Sequence, residues 1–138
     1  MKYQSILFLC VANSARSQMA EAWARHMLAD DVKVQSAGSE PSRVNPYAIQ
    51  VMDEVGVAME GQSSTSVEDV DPSAADLVIT LCAEEVCPTF LGAAEHLHWP
   101  IPDPDQKDPD MPANQQLEHF RAARHRIYKR LSQFFLQA

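Results

Sequence analysis

Cys10 and Arg16 are two residues near the N-terminus whose types and spacing could support nucleophilic chemistry on an anion. A cysteine thiolate is a nucleophile, and an arginine presents a planar, permanently charged fork that can bind two oxygens of a tetrahedral oxyanion. Asn13, Ser14 and Ser17 add small polar side chains to the same stretch. The stretch has no glycine, so Asn13 is the best candidate if the loop needs a residue with a left-handed backbone. The pattern therefore predicts a thiolate that attacks the central atom of a bound oxyanion.

The elements on either side of this stretch would position the two groups. Residues 6–9 are continuously apolar, which is typical of a strand buried on both faces. An apolar stripe at Met19, Trp23 and Met27 predicts that a helix follows. The free N–H groups at the start of that helix would attract an anion and favour the thiolate form of Cys10. Spacing alone also fits a buried cysteine that ends a core strand, followed by a solvated arginine.

Residues 10–21, with the sequence Cys-Val-Ala-Asn-Ser-Ala-Arg-Ser-Gln-Met-Ala-Glu, resemble the signature of the arsenate reductases that are built on the low-molecular-weight tyrosine phosphatase fold. The similarity extends over nearly the whole chain. It continues at Ser36-Ala37-Gly38, Thr80-Leu81-Cys82, His98-Trp99 and Asp103-Pro104. The resemblance implies a three-layer α/β/α fold in which a four-stranded parallel sheet has the order 2-1-3-4. The expected single domain spans residues 1–138.

The rest of the chain alternates between strand and helix patterns, which indicates a parallel sheet covered on both faces. Further strands are expected at 32–36, 76–81 and 97–99, and one short helical turn is expected within 60–75. These positions agree with the fold that the resemblance implies.

Two further helices are expected, and each has an apolar face. One begins at Pro46 after an Asn45 N-cap and ends at Gly56. Its predicted buried residues are Ile49, Met52 and Val55. In the last helix, Arg124 interrupts an apolar stripe made of Leu117, Phe120, Ile127, Leu131 and Phe134. The basic residues of that helix, interpreted as a solvated face, are Arg121, Arg124, Arg126, Lys129 and Arg130.

The resemblance assigns roles in three parts of the chain. It implies an oxyanion-binding loop formed by Val11, Ala12, Asn13, Ser14, Ala15, Arg16 and Ser17. Asp103 would be the general acid for a departing oxygen, although the neighbouring aspartates show that such a residue can also be an ordinary surface group. Cys10 would be the nucleophile, and a disulfide would pass from Cys10 to Cys82 and then to Cys87. A zinc site at Cys82 and Cys87 is a weaker alternative, because the sequence has no second pair of cysteines at a similar spacing.

A monovalent cation site is the other metal site to consider. Asn13, Glu21 and Ser36 match three residues that bind potassium in the thioredoxin-coupled members of the family. The fourth, acidic ligand would fall at Thr65, so the sequence leaves this site open. No tightly bound cofactor is expected.

The composition limits the class of protein. The chain has 138 residues, 46% of them hydrophobic, and a net charge of −8, which argues against nucleic acid or an anionic membrane as a partner. The apolar run from Ile6 to Ala12 is too short to cross a bilayer, and no signal peptide is apparent. Three cysteines suit catalytic or redox roles in a reducing compartment. We therefore expect a cytoplasmic protein, and a monomer.

These observations lead to one predicted function and two alternatives. We expect reduction of arsenate to arsenite for arsenic detoxification, with phosphate or sulfate as competing oxyanions and thioredoxin as the reductant. Glutaredoxin with glutathione, or mycothiol, serves relatives with other cysteine arrangements. The first alternative is a low-molecular-weight tyrosine phosphatase or small phosphomonoesterase; Asp105-Gln106 argue against it, because tyrosine phosphatases carry aromatic residues after Asp-Pro. The second is a non-enzymatic oxyanion-binding or redox-sensing protein.

Overall fold

A computed structural model describes residues 2–71, 74–83 and 95–136. The strands are β1 Ser5–Cys10, β2 Lys33–Gly38, β3 Leu77–Thr80 and β4 Glu95–His98. They form one parallel sheet in the order β2-β1-β3-β4. The helices are α1 Arg16–Met27, α2 Pro46–Asp53 and α3 Ala113–Leu131, with a short 3₁₀ helix at Val67–Asp69 and a π-helical end at Ser132–Leu136. The predicted fold class and strand order are confirmed.

β1 is a central strand, and this position explains its continuous apolar sequence. Ile6 and Phe8 point into the larger core, on the face of the sheet that the three α-helices cover. Leu7 and Leu9 point to the opposite face, where they pack with a smaller cluster near the 3₁₀ helix. All four side chains are fully buried. Full burial of one such side chain contributes about 1.5–3 kcal/mol relative to exposure, so both faces of β1 stabilise the sheet.

α2 has the predicted start but a different buried face. The Asn45 side chain caps it by accepting a hydrogen bond from the Tyr47 N–H at 2.8 Å. Ile49 and Val55, predicted to be buried, are 44% and 41% exposed. The residues that α2 buries are Ala48, Val51 and Met52. Val55 is exposed because the helix ends at Asp53, before it. Ile49 is exposed because the buried stripe, with the spacing i, i+3, i+4, begins one residue earlier, at Ala48.

α3 buries the predicted stripe only in part. Its buried residues are Phe120, Ala123, Ile127 and Leu131. Leu117 is half-buried, and Phe134 is exposed in the π-helical end beyond α3. Ala123 therefore fills the position in the stripe at which the sequence pattern placed Arg124.

The basic residues of α3 are more than a solvated face, because two of them bind α2. Arg124 donates to the Val51 carbonyl at 2.7 Å and to Glu54 Oε1 at 2.9 Å. Arg121 Nη2 lies 2.6 Å from Glu54 Oε2. Hydrogen bonds from Arg121, together with those from Arg124, lower the pKa of Glu54 to about 2. These contacts join the two helices at the surface.

In the described parts of the chain, no helix is both long enough and apolar enough to span a membrane.

Candidate active site

The loop between β1 and α1 lies at the carboxyl edge of the sheet, where open α/β proteins bind their ligands. β1 ends at Cys10 and α1 begins at Arg16, so the two residues lie at the two ends of the loop. A pocket of about 270 Å³ opens on this loop. It is lined by Cys10, Ala12, Ser14, Ala15, Arg16, Ser42, Asp103, Asp105 and Lys107. The structure thus brings the predicted nucleophile, arginine and general acid together.

The backbone of the loop is oriented by contacts with residues distant in sequence. Its carbonyl oxygens accept hydrogen bonds from outside the loop: Val11 from the Glu40 N–H at 2.9 Å, Ala12 from the Ser42 N–H at 3.1 Å and Ser14 from the Asn45 N–H at 3.0 Å. In a planar trans peptide each N–H points away from the preceding carbonyl. The N–H groups of Ala12, Asn13 and Ala15 therefore point away from Glu40, Ser42 and Asn45, and successive N–H groups of a turn can form a binding site for an anion.

Asn13 has the left-handed backbone conformation that was predicted for this glycine-free loop, with φ 46°. Asparagine tolerates this region better than most residues. Its side-chain oxygen accepts hydrogen bonds from the Thr65 N–H at 2.8 Å and from Gln18 Nε2 at 3.1 Å. Gln18 also donates to the Asn13 carbonyl at 3.0 Å. These contacts hold the fully buried Asn13 in its strained conformation.

Gly38, the last residue of β2, packs directly against the loop. A Cβ atom at this position would lie 2.3 Å from the Val11 carbonyl oxygen and 2.8 Å from the Asn13 nitrogen. Only glycine allows this close approach. Gly38, the last residue of the Ser36-Ala37-Gly38 stretch, is therefore required for the shape of the loop.

The sulfur of Cys10 lies in a buried hydrogen-bond network. Cys10 Sγ lies 2.8 Å from Ser17 Oγ, which accepts a hydrogen bond from Asn13 Nδ2 at 2.8 Å. Because the amide occupies an acceptor position on Ser17, the hydroxyl hydrogen is available for the sulfur. The start of α1 adds N–H groups that have no acceptor within the helix, and its N-cap residue Ala15 makes no side-chain capping bond. The Ser17 hydroxyl therefore contacts the sulfur of Cys10 and does not cap the helix.

Arg16 is buried, which rules out the solvated arginine that the spacing alone allowed. It is 4% exposed, and its Nη1 donates to the Ile101 carbonyl at 3.1 Å. Its Nη2 lies 3.7 Å from Asp103 Oδ2. The guanidinium is thus fixed beside the pocket, between the first loop and the loop that contains Asp103.

Asp103 is the aspartate of its loop that lies beside Arg16, and its side chain is 36% exposed. Its Oδ1 accepts the Asp105 N–H at 3.0 Å, and Asp105 Oδ1 accepts the Lys107 N–H at 3.0 Å. Lys107 has a left-handed backbone, with φ 55°, and lines the pocket. Sequence reasoning missed Asp105 and Lys107 as pocket residues, because a polar loop has no periodicity that indicates which side chains turn inwards.

Cys10 and Cys82 lie at the carboxyl ends of two adjacent strands, β1 and β3. The Leu81 N–H donates to the Leu9 carbonyl at 2.9 Å, so the pairing of β3 with β1 continues to the residue before Cys82. Cys82 is buried and disulfide-bonded, whereas Cys10 is a free thiol. Cys87, the third cysteine, lies outside the described residues.

Two of the three residues named for a potassium site are in direct contact. Ser36 Oγ donates to Glu21 Oε1 at 2.6 Å. Burial raises the pKa of Glu21, while the bond from Ser36 and the charge of Arg25 lower it. Asn13 instead binds Thr65, Gln18 and Ser17. Among the described residues, no group of three or more His, Cys, Asp or Glu side chains could hold a metal ion.

Comparison with known proteins agrees with this geometry. Residues 5–138 match the family model of the low molecular weight phosphotyrosine protein phosphatases. An arsenate reductase of Halalkalibacterium halodurans is 39% identical over 136 residues, which cover 97% of this chain and 96% of that protein. A solved structure of an arsenate reductase in the phosphate binding state is 35% identical, with a TM-score of 0.79, and the match covers 94% of this chain and 95% of that one.

A thioredoxin-dependent arsenate reductase of Corynebacterium glutamicum has a TM-score of 0.64 and 27% identity; the match covers 94% of this chain and 62% of that chain. Its shared part has the same fold. The chain therefore belongs to the low molecular weight phosphotyrosine protein phosphatase family and, within it, to the arsenate reductases.

Proposed function

We propose that this protein reduces arsenate to arsenite with Cys10 as the nucleophile. One observation carries the proposal: the pocket that contains Cys10 and the buried Arg16 lies at the end of β1, beside the strand that leads to a second buried cysteine, Cys82. A phosphatase needs the first of these cysteines alone. A reductase needs both, because electrons must come from a second thiol.

The first step is the attack of the Cys10 thiolate on arsenic. The N–H groups of the loop and the fork of Arg16 bind the oxygens and stabilise the charge that develops on them. Asp103 gives a proton to the departing oxygen, which leaves as water. Its 3.7 Å separation from Arg16 supports this role, because the arginine can bring the bound oxyanion and the acid together.

The following steps transfer two electrons. Cys82 attacks the sulfur of Cys10, arsenite leaves, and a Cys10–Cys82 disulfide forms. Cys87 then attacks Cys82, which frees Cys10 and leaves a Cys82–Cys87 disulfide. The count balances, because reduction of As(V) to As(III) takes the two electrons that two thiols release on forming one disulfide. A free Cys10 beside a disulfide-bonded Cys82 is the state that this last step would leave.

Thioredoxin is the proposed reductant of that final disulfide. The likeness to the thioredoxin-dependent enzyme of Corynebacterium glutamicum supports this choice over glutaredoxin with glutathione or mycothiol. Thiol chemistry of this kind also supports a place in the cytoplasm, where such reductants keep cysteines reduced. Phosphate and sulfate should compete with arsenate, since they are tetrahedral oxyanions too. We propose that the protein acts as a monomer.

The test is an arsenate-dependent NADPH oxidation assay with pre-reduced protein. Thioredoxin with its reductase, glutaredoxin with glutathione, and a mycothiol system are supplied in separate reactions. We expect turnover with thioredoxin and about one NADPH per arsenite formed. Brisk hydrolysis of a phosphomonoester without NADPH oxidation would instead support the phosphatase. Oxyanion binding without either reaction would support the non-enzymatic alternative.

A further inference from the structure

Arg25 provides a positive charge next to the buried carboxylate of Glu21, one helical turn away on α1. Its Nη2 lies 2.7 Å from Glu21 Oε2 and donates to the Val34 carbonyl of β2 at 2.9 Å. The other carboxylate oxygen accepts the bond from Ser36, also on β2. The side chain of Glu21 is 7% exposed, whereas that of Arg25 is 50% exposed. Glu21 and Arg25 together therefore fasten α1 to β2.

The donor set does not fit a potassium ion. Both oxygens of Glu21 already bind protein donors, Arg25 and Ser36. The side-chain oxygen of Asn13 accepts two hydrogen bonds, one of them from the backbone N–H of Thr65. Thr65 thus presents a donor and a neutral side chain where an acidic ligand was expected. A guanidinium 2.7 Å from the only carboxylate of the set would also repel an added cation.

We propose that Arg25 is a built-in cation that makes this protein independent of potassium. This proposal deepens the proposed function. Only its expected effect on arsenate binding rests on that function. Arg25 is a positioning residue, because α1 carries Arg16 at its start and β2 ends at Gly38, which packs against the oxyanion loop. Fastening α1 to β2 therefore holds both sides of that loop.

Thermal unfolding tests the proposal without any turnover. The midpoint Tm is measured in potassium chloride and in tetramethylammonium chloride at equal ionic strength, because the organic cation is too large for a buried site. For the unaltered protein we expect the two values to agree within about 1 °C. Arg25→Gln leaves the carboxylate of Glu21 without its cation, so its Tm in tetramethylammonium should fall by on the order of 5 °C. Potassium, which can then approach the freed carboxylate oxygen of Glu21, should restore part of that loss.

Two further variants serve as controls. In the double variant Glu21→Gln with Arg25→Gln there is no charge to neutralise, so potassium should no longer change Tm. Arg25→Lys keeps a cation four residues after Glu21 and should stay insensitive to potassium. If Arg25→Gln does not fold, the Tm of Arg25→Lys in the two salts still tests the proposal, because a potassium-specific increase in that Tm would contradict it.

Arsenate kinetics in the same two salts show whether the contact positions the loop. For Arg25→Gln we expect KM for arsenate to rise several-fold in tetramethylammonium and to return towards normal in potassium. A potassium-specific increase in the Tm of the unaltered protein would overturn the proposal. So would an Arg25→Gln variant that has the normal Tm in both salts or does not respond to potassium. Absence of arsenate turnover with the expected Tm pattern would refute the proposed reaction and leave the role of Arg25 standing.

Discussion

Two loops face the same pocket, and the protein holds them in opposite ways. The first, residues 10–17, is largely buried, and its carbonyls are bound by Glu40, Ser42 and Asn45, which are distant in sequence. The second, residues 103–110, is more exposed, and its side-chain hydrogen bonds join residues only two or three apart, as between Asp103 and Asp105. The ion pair of Arg16 with Asp103 joins the two loops.

This difference separates two tasks. Under the proposed function, the long-range contacts fix the first loop before arsenate arrives, so little reorganisation is needed on binding. Local contacts of this kind define the shape of the aspartate loop without fixing it to the rest of the chain, apart from the ion pair of Asp103 with Arg16. Substitutions in the first loop should therefore affect binding and chemistry strongly, and those in the second should affect proton transfer or access more selectively.

The largest effect is expected for Cys10→Ser. Serine is a far poorer nucleophile, so arsenate turnover should fall at least ~10³-fold. Phosphate binding should persist, because the N–H groups and Arg16 remain. Steady-state kinetics and a phosphate titration would measure the two effects. A folded Cys10→Ser protein with substantial arsenate reduction would show that the nucleophile lies elsewhere.

Arg16→Lys should have the next largest effect, because it keeps the charge but loses the two-pronged geometry. We expect kcat/KM for arsenate to fall by about 10²-fold, with a clear rise in KM. Arg126→Lys, on the exposed face of α3, is the matched control and should change neither value. Equal kinetics for Arg16→Lys and the unaltered protein would mean that this arginine does not bind the oxyanion.

Asp103→Asn tests the second loop. It removes a proton donor and keeps the shape of the side chain, so kcat should fall by about 10²-fold while phosphate affinity stays nearly normal. Asp108→Asn changes the same loop at an exposed residue and should have little effect. Equal losses in the two variants would indicate that the loop acts only through its charge.

Lys107→Gln should produce the smallest change. This lysine lines the pocket, and its positive charge should attract an anionic substrate over distances that salt can screen. We expect KM for arsenate to rise about three-fold to ten-fold with kcat unchanged, and to depend less on ionic strength. Lys129→Gln on α3 controls for the change in net charge. A normal KM together with an undiminished salt dependence would remove Lys107 from the site.

The sequence predicted the parts of the molecule that local patterns control. The double-sided burial of residues 6–9, the cap at Asn45 and the left-handed Asn13 are confirmed, because each depends on the residue itself and its immediate neighbours. The order of the strands depended on the family resemblance. Composition and periodicity indicate a parallel sheet but not which strands are adjacent in it.

The sequence did not predict contacts that form only between distant elements. Ile49 and Val55 are apolar yet exposed, because the buried face of α2 depends on how it packs against α3. The ion pair of Arg25 with Glu21 has the helical spacing of an ordinary surface pair, and only the fold buries the carboxylate. Lys107 turns into the pocket for reasons of loop conformation that its residue type does not reveal.

The central claim is that the electrons for arsenate come from Cys10 and Cys82. Its most direct test is a single turnover of the pre-reduced Cys87→Ser variant with excess arsenate and no reductant, followed by disulfide mapping with mass spectrometry. The account predicts one arsenite per protein and a disulfide between Cys10 and Cys82, whereas Cys82→Ser should release no arsenite by internal attack. Finding no arsenate-dependent disulfide at Cys10, with efficient hydrolysis of a phosphomonoester by the unaltered protein, would contradict it.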